Sequence, residues 1–253
     1  MRNGLPILLY HGVGPPSGRF SVSEAEFARQ MDAVVASGRS AQTVGRLAEP
    51  RVRGEPMAAS AVAITFDDGT ADFYDRAWPV LRERGLPATL YVTSGLVGGR
   101  HEGTPMLSWQ RLEELRDSGL EIGAHSHEHI ALDLVPLERA ARELVNSKLV
   151  LEDRLQVEIS GFAYPFGYHT AAVKALAARA GYRSACAVKN ALSHPYDDRF
   201  ALARFMVTAV TPTARIDRLL AGRGARVAPR RELVRTRVWR LYRRARAISV
   251  PTA

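Results

Sequence analysis

The chain has 253 residues, 46% of them hydrophobic and 24% charged, with a formal net charge of +9. That length suits one large α/β domain or two small ones, and the apolar share is ordinary for a folded chain with a core. The longest apolar runs are strand-sized, which argues against a membrane-spanning helix. Cys186 is the only cysteine, which excludes an internal disulfide and a thiolate metal site; its neighbours Ser184-Ala185 and Ala187-Val188 suit a buried strand.

Strand-like and helix-like runs alternate along the chain. Pro6–His11 reads as a short apolar strand. Ser23 to Ser37 reads as a helix: Ser23 and Glu26 form a capping-box pattern, Phe27, Met31, Val34 and Val35 share a face, and Gly38 ends it. Ala61–Phe66 is a strand. Asp72–Arg84 is helical, with Pro79 starting a new turn or kinking it. Ala88–Thr93 is a strand, Ser108–Ser118 a helix, Leu120–Ala124 a strand. Leu137–Leu155 is a long helix with apolar residues at 137, 141, 144, 151 and 155. Ile159–Tyr164 is a strand, Thr170–Ala180 a helix, and Tyr182–Val188 and Phe200–Val207 are strands. This rhythm implies a parallel sheet with crossover helices, and about seven strands favour a distorted (β/α) barrel over an open sheet. In either architecture a functional site lies at the carboxyl ends of the strands.

Four polar or turn-forming clusters fall at such ends. His11-Gly12 follows the first strand, Asp67-Asp68-Gly69 follows Ala61–Phe66, His125-Ser126-His127-Glu128-His129 follows Leu120–Ala124, and Tyr164-Pro165-Phe166-Gly167 follows the strand around Phe162. Three of the seven histidines lie within five residues, and the spacing of His125 and His129 puts two imidazoles on one side of a helical turn or tight loop. Two histidines and a carboxylate form a three-ligand set of the kind found in catalytic zinc sites. Adjacent Asp67 and Asp68 would point apart in an extended segment. One can then ligate a metal while the other accepts a proton. A plain Asp-Asp-Gly turn and a solvated polar loop are the alternatives.

The motif Thr65-Phe66-Asp67-Asp68-Gly69 resembles the first motif of the polysaccharide deacetylases, the NodB-homology members of carbohydrate esterase family 4. His125-Ser126-His127-Glu128-His129 is similar to that family's second motif, and Phe162-Ala163-Tyr164-Pro165-Phe166-Gly167 to its third. The approach Met106-Leu107-Ser108-Trp109 and the opening Leu9-Tyr10-His11 also resemble family members, so the resemblance covers roughly residues 5 to 210. It implies a distorted barrel that removes N-acetyl groups from an amino-sugar polysaccharide or lipid-linked glycan. It further implies that Asp68, His125 and His129 hold a divalent metal, usually zinc, that Asp67 is the general base, and that Tyr164, Pro165, Phe166 and Gly167 wall the substrate groove. The Tyr164 backbone N–H is expected to help hold the oxyanion, and Ser126 to brace its loop by hydrogen bonding.

Two positions depart from the family pattern. Ala163 stands where an arginine commonly steadies the catalytic aspartate, and Leu202-Ala203-Arg204 stands where a Leu-x-His would supply the general acid. His11 and His194 are the candidate substitutes, with His11 preferred on position. The departures leave two alternatives open: a catalytically impaired glycan-binding member, or a hydrolase of another small amide, such as a sugar deformylase or a cyclic-amide hydrolase.

The positive charge is concentrated late in the chain. From Arg230 to Arg246 the sequence is RRELVRTRVWRLYRRAR, with Glu232 alone opposing the arginines. Leu233, Val234, Val238, Trp239, Leu241 and Tyr242 recur among them at helical spacing, so residues 211–253 read as an extension, carrying a basic amphipathic helix, on a catalytic domain of residues 1–210. An anionic membrane surface, an acidic glycan or a partner protein suits that helix, and packing on the barrel with its arginines solvated is the alternative; nucleic acid does not suit it, for want of a basic and aromatic platform. The first residues lack the apolar stretch and cleavage site of a signal peptide, so the expected location is cytoplasmic, peripheral to the inner membrane face if the helix attaches there.

Overall fold

The computed structural model describes residues 4–15, 18–229, Trp239 and Arg243. Seven parallel strands carry the fold: β1 (Ile7–Tyr10), β2 (Ala61–Phe66), β3 (Thr89–Val92), β4 (Glu121–Ala124), β5 (Gly161–Ala163), β6 (Ser184–Val188) and β7 (Leu202–Met206). Each of β2 to β7 pairs with its predecessor or successor in turn. The sheet closes because β1 pairs with both β7 and β2, with Leu8 opposite Phe205 on one side and Ile64 on the other. A two-residue strand, Ser40–Ala41, adds to the start of β2. The expected distorted (β/α) barrel of seven strands is therefore what the chain builds.

Alternation along the strands separates two cores. On β2, Val62, Ile64 and Phe66 face the outer helices, whereas Ala61 and Ala63 face inward with Ile7, Tyr91, Ala163, Cys186 and Leu202. The inward set is mostly small, so the barrel is narrow and one Tyr91 ring fills much of it. Helix α2 (Val44–Val52) plugs the amino end of the barrel with Val44, Leu47 and Ala48. Thr65 and Asp67 continue the inward series of β2 toward the opposite mouth. Cys186 is fully buried and lies 3.4 Å from the Tyr91 hydroxyl; burial pushes its thiol pKa up to about 11.

The helices form where the sequence predicts them, with informative exceptions. α1 (Glu24–Ala36) starts at Ser23, whose hydroxyl accepts from the Glu26 N–H. The Glu26 carboxylate does not close the box. It accepts instead from the backbone and hydroxyl of Thr213, at 2.6 and 2.7 Å. The buried face of α1 is Phe27, Gln30, Met31 and Val34; Val35 is turned to solvent, because Gln30 is wanted inside to bond the Tyr10 hydroxyl and the Thr211 carbonyl. The segment before Pro79 is a π-helical turn, Phe73–Ala77, and Pro79 sits in the first turn of α3 (Trp78–Glu83), where its missing N–H costs nothing. α4 (Trp109–Asp117) is capped by Ser108. α5 spans Leu137–Leu155 as expected, but its buried face is Ala140, Glu143, Leu144, Ser147, Leu151 and Leu155, with Leu137 exposed. α6 (Ala171–Arg179) is capped by Thr170.

The sequence reading missed α2, which carries Gly45 and Pro50, and α7 (Thr213–Leu220). α7 packs Ile216, Leu219 and Leu220 into the main core, and Leu192 exchanges backbone hydrogen bonds with Arg226 and Ala228. Packing is thus continuous across residue 210, from the barrel through α7 to Ala228. The basic helix expected from Arg230 to Arg246 lies outside the described residues except at Trp239 and Arg243. No helix of the described residues is long and apolar enough to cross a membrane.

The narrow interior makes a specific demand on Gly123. A Cβ there would lie 2.5 Å from Tyr91 Cδ1 and 3.0 Å from the Gly161 carbonyl oxygen. Gly123→Ala is expected to destabilise the fold by about 1–3 kcal/mol through overpacking. Urea unfolding of the two proteins checks this.

Candidate active site

All seven strands run in one direction, so their carboxyl ends share one mouth. Asp67 and Asp68 leave β2 there, and Asp68 turns into the left-handed region (φ 73°), which brings its side chain back toward the barrel axis. Ser126 (φ 63°), His129 (φ 57°) and Phe166 (φ 60°) adopt the same strained conformation. Four of the seven non-glycine residues with positive φ among those described therefore surround this mouth, the clustering expected where function holds a backbone against its preference.

The distances fit a cation site. Asp68 Oδ1 lies 3.4 Å from His125 Nε2 and 3.3 Å from His129 Nε2. Bonds of about 2.1 Å in tetrahedral array have edges of about 3.4 Å, so the three donors are spaced as ligands of one ion. The His125 Nδ1 lies 2.9 Å from the Ala163 carbonyl, which can only accept, so Nδ1 carries a proton and Nε2, turned toward the carboxylates, is the atom that can ligate once deprotonated. Asp68 Oδ1 is buried without a hydrogen bond of its own. A buried carboxylate oxygen with two imidazole nitrogens turned toward it is a donor set that fits a divalent metal. Among the described residues these three are the group of His, Cys, Asp and Glu side chains close enough to share an ion.

The loop carrying both histidines is held from below. Ser126 Oγ accepts from the His129 N–H at 3.0 Å, so Ser126 braces the loop as expected. Glu143, buried on α5, accepts from the N–H groups of His127 and Glu128 at 2.9 and 2.8 Å. Sequence reading missed Glu143, although a glutamate on the same face as Ala140, Leu144, Ser147 and Leu151 was a visible signal. His127 is not a ligand; its Nδ1 meets the Ser94 hydroxyl at 2.9 Å. Glu128 is exposed and pairs with Arg139.

Asp67 is buried beside the ion site, 3.9 Å from His125 Nε2. Arg204 grips both its oxygens, Nη1 to Oδ1 at 2.6 Å and Nη2 to Oδ2 at 2.7 Å, and also reaches Thr65 Oγ1 at 3.2 Å. The arginine absent at Ala163 is thus supplied from β7, at the position where a Leu-x-His was looked for. An arginine at the centre of the apolar strand Leu202–Met206 was the signal for it. Burial by itself would raise the Asp67 pKa, but Arg204, then His125, hold it below the usual carboxylate value.

The other predicted residues divide. His11 stacks on Phe20 at 5.0 Å and lines, with Asp68, a groove of about 630 Å³ that opens beside the ion site. Burial lowers its pKa, and the nearby carboxylates Asp68 and Asp67 only partly offset this. His194 is excluded: it lies next to Ser193, which pairs with Leu5 at the amino end of the barrel, far from the mouth. Tyr164 is fully buried. Its N–H goes to the Cys186 carbonyl at 3.1 Å and its hydroxyl to the Phe200 carbonyl at 3.0 Å, so it neither walls a groove nor offers an oxyanion donor. Pro165 and Gly167 are buried too, and a Cβ at Gly167 would lie 2.4 Å from Val188 Cβ. Phe166 is left as the exposed member, 56% accessible, with its ring 5.0 Å from that of His129. His101, which the sequence reading passed over, reaches the site from the hairpin Arg100–Pro105; it lines the same groove, and its ring lies 5.1 Å from His129.

A closed parallel barrel with an Asp-His-His cation site and a buried acid beside it at the carboxyl mouth has the features of a metal-dependent hydrolase. The family pattern described as polysaccharide deacetylase matches residues 54–185, just over half of the chain, and spans the Asp67-Asp68 and His125–His129 clusters. The chain belongs to the polysaccharide deacetylase family, whose members are metal-dependent carbohydrate deacetylases. It is 24% identical over 204 residues to YxkH of Bacillus subtilis (strain 168), covering 81% of this chain and 71% of that one. It is 25% identical over 158 residues to the poly-β-1,6-N-acetyl-D-glucosamine N-deacetylase of Staphylococcus epidermidis, covering 58% of this chain and about half, 54%, of that protein. The solved structure of IcaB from Ammonifex degensii superimposes with a TM-score of 0.75 at 29% identity, over 88% of this chain and 97% of that one.

Two outcomes follow from the buried charges. Arg204→Met leaves Asp67 buried without its partner and should destabilise the protein by about 3–5 kcal/mol, read by chemical denaturation. The second concerns His125. Burial pulls its pKa down, but Asp67 and then Asp68 outweigh this, so in the metal-free protein it lies above 6.5. Its stabilising contribution is complete below the unfolded value and is lost as pH rises through the folded value. A cation must displace that proton, so metal affinity should fall about tenfold per unit as pH drops below the raised pKa. A competition titration with a chelator between pH 5 and 9, a range chosen to bracket the ordinary histidine value, reads the slope.

Proposed function

We propose that this protein removes N-acetyl groups from an amino-sugar polysaccharide, with zinc held by Asp68, His125 and His129 and with Asp67 as the general base. The observation that carries the reading is the spacing of the three donor atoms, 3.3 and 3.4 Å apart across Asp68 Oδ1, with a separate buried carboxylate alongside. The substrate of the Staphylococcus epidermidis relative makes β-1,6-linked N-acetylglucosamine the first polymer to test.

When bound, a divalent cation supplies a Lewis acid for the acetamide carbonyl and lowers the pKa of water. The rest falls to the chain. Asp67 accepts the proton that water gives up as it attacks; both its oxygens are engaged by Arg204, but each keeps a second lone pair. Arg204 fixes the orientation of that carboxylate at the cost of basicity, because the pKa it depresses belongs to the base. The amine cannot leave as an anion and needs a proton at nitrogen. His11 is the histidine of the original pair that lies in the groove. It must carry a proton when the amine leaves, and the proton that Asp67 takes from the attacking water balances the one His11 gives up. Phe166 offers an apolar face beside His129 for a sugar ring.

Asp67→Asn should abolish acetate release from N-acetylglucosamine oligomers while zinc still binds. His11→Ala should lower kcat by about 10²–10⁴-fold, the usual range for a general acid, again with zinc content intact. Acetate assays beside zinc analysis check both; turnover at the wild-type rate in His11→Ala removes His11 from the mechanism.

A further inference from the structure

Two residues of the arginine-rich segment reach the loops that build the active site. Trp239 and Arg243 are both helical and four residues apart, a spacing that places them on one face. Trp239 Nε1–H donates to the Tyr168 hydroxyl at 3.2 Å. The Arg243 guanidinium lies over the Tyr168 ring, 3.6 Å from its centroid, and its Nη2 is 3.7 Å from Asp133 Oδ1. The Asp133 side chain is 1% exposed and that of Arg243 16%, so this ion pair is screened little by solvent.

The partners are not arbitrary surface groups. Asp133 lies four residues beyond His129, on the loop between β4 and α5. Tyr168 lies two residues beyond Phe166, on the loop between β5 and α6. Those loops carry the strained residues His129 and Phe166, whose rings are 5.0 Å apart. Glu143 and Ser126 hold the first loop at His127–His129, but they do not tie it to the second. Arg243 does, because one guanidinium meets an acid on one loop and an aromatic face on the other.

We propose that Arg243, supported by Trp239, is a positioning residue for the active site: it braces the His129 loop against the Phe166 loop and so sets the placement of a metal ligand and of the exposed aromatic ring beside it. The proposal rests on the metal reading of Asp68, His125 and His129, but the brace itself has a readout without metal. An arginine fits this role better than a lysine, because its planar group can stack and pair at once.

The test uses the full chain. Hydrogen exchange in the metal-free protein is compared for wild type, Arg243→Ala, Arg243→Lys and Trp239→Phe, and zinc affinity is measured by chelator competition. Arg243→Ala should speed exchange in the stretches 126–133 and 165–169 but not in the barrel strands, and should weaken zinc by about tenfold, as loss of an outer support does. Arg243→Lys should recover part of both effects, and Trp239→Phe should show a smaller loss. Asp133→Asn combined with Arg243→Ala should be less than additive. Wild-type exchange and zinc affinity in Arg243→Ala and Trp239→Phe would overturn the brace. If wild type itself takes up no zinc, the metal reading falls, while the exchange comparison still decides whether the two loops are held together.

Discussion

The buried pair of Asp67 and Arg204 is the interaction on which the mouth of the barrel depends. Asp67 is 3% exposed and Arg204 not at all, and either charge alone at that depth would be costly to keep. Two parallel hydrogen bonds and the Thr65 hydroxyl make the arrangement tolerable. They also fix its geometry, because a guanidinium and a carboxylate meet edge to edge in few ways. β2 and β7 are not adjacent; β1 lies between them, pairing with both. The ion pair therefore spans the barrel interior and links the Asp67 carboxylate to the strand that closes the cylinder. A histidine at position 204 could donate a proton but could not grip both oxygens. In this chain the Asp67 carboxylate is anchored by Arg204, and any proton donor in the proposed reaction comes from another position, such as His11 in the groove.

Most of the fold was readable from the sequence because the strands of a parallel barrel are buried on both faces and stand out as short apolar runs between helical segments. Ala61–Phe66 and Leu137–Leu155 were read to the residue. α2 was not, since Gly45 and Pro50 break its pattern, and α7 was not, since its role is visible only once Ile216 and Leu219 meet α1. Faces were harder than elements. Val35 and Leu137, apolar members of their helices, are exposed, whereas the polar Gln30 and Glu143, which have long-range partners, are buried.

The site was legible in the same uneven way. The cation set was foreseeable, because residue types and spacing carry that information and the strand-end rule supplies convergence. Arg204 and Glu143 stand out locally only as charged residues in apolar settings; what they serve lies 137 and 16 residues away in sequence, which no local pattern encodes. Tyr164 shows the reverse error. The motif around it is where the family pattern puts it, but the backbone N–H at that position is already spent on the neighbouring strand, and the exposed surface passes to Phe166.

The isolated thiol has a practical use. Cys186 is enclosed by the barrel and its pKa of about 11 keeps the thiolate scarce at neutral pH, so it resists alkylating and maleimide reagents in the folded protein. A single cysteine introduced on a surface loop can therefore carry a fluorophore or spin label without first deleting the native one. Modification of Cys186 itself then reports only molecules whose barrel has opened.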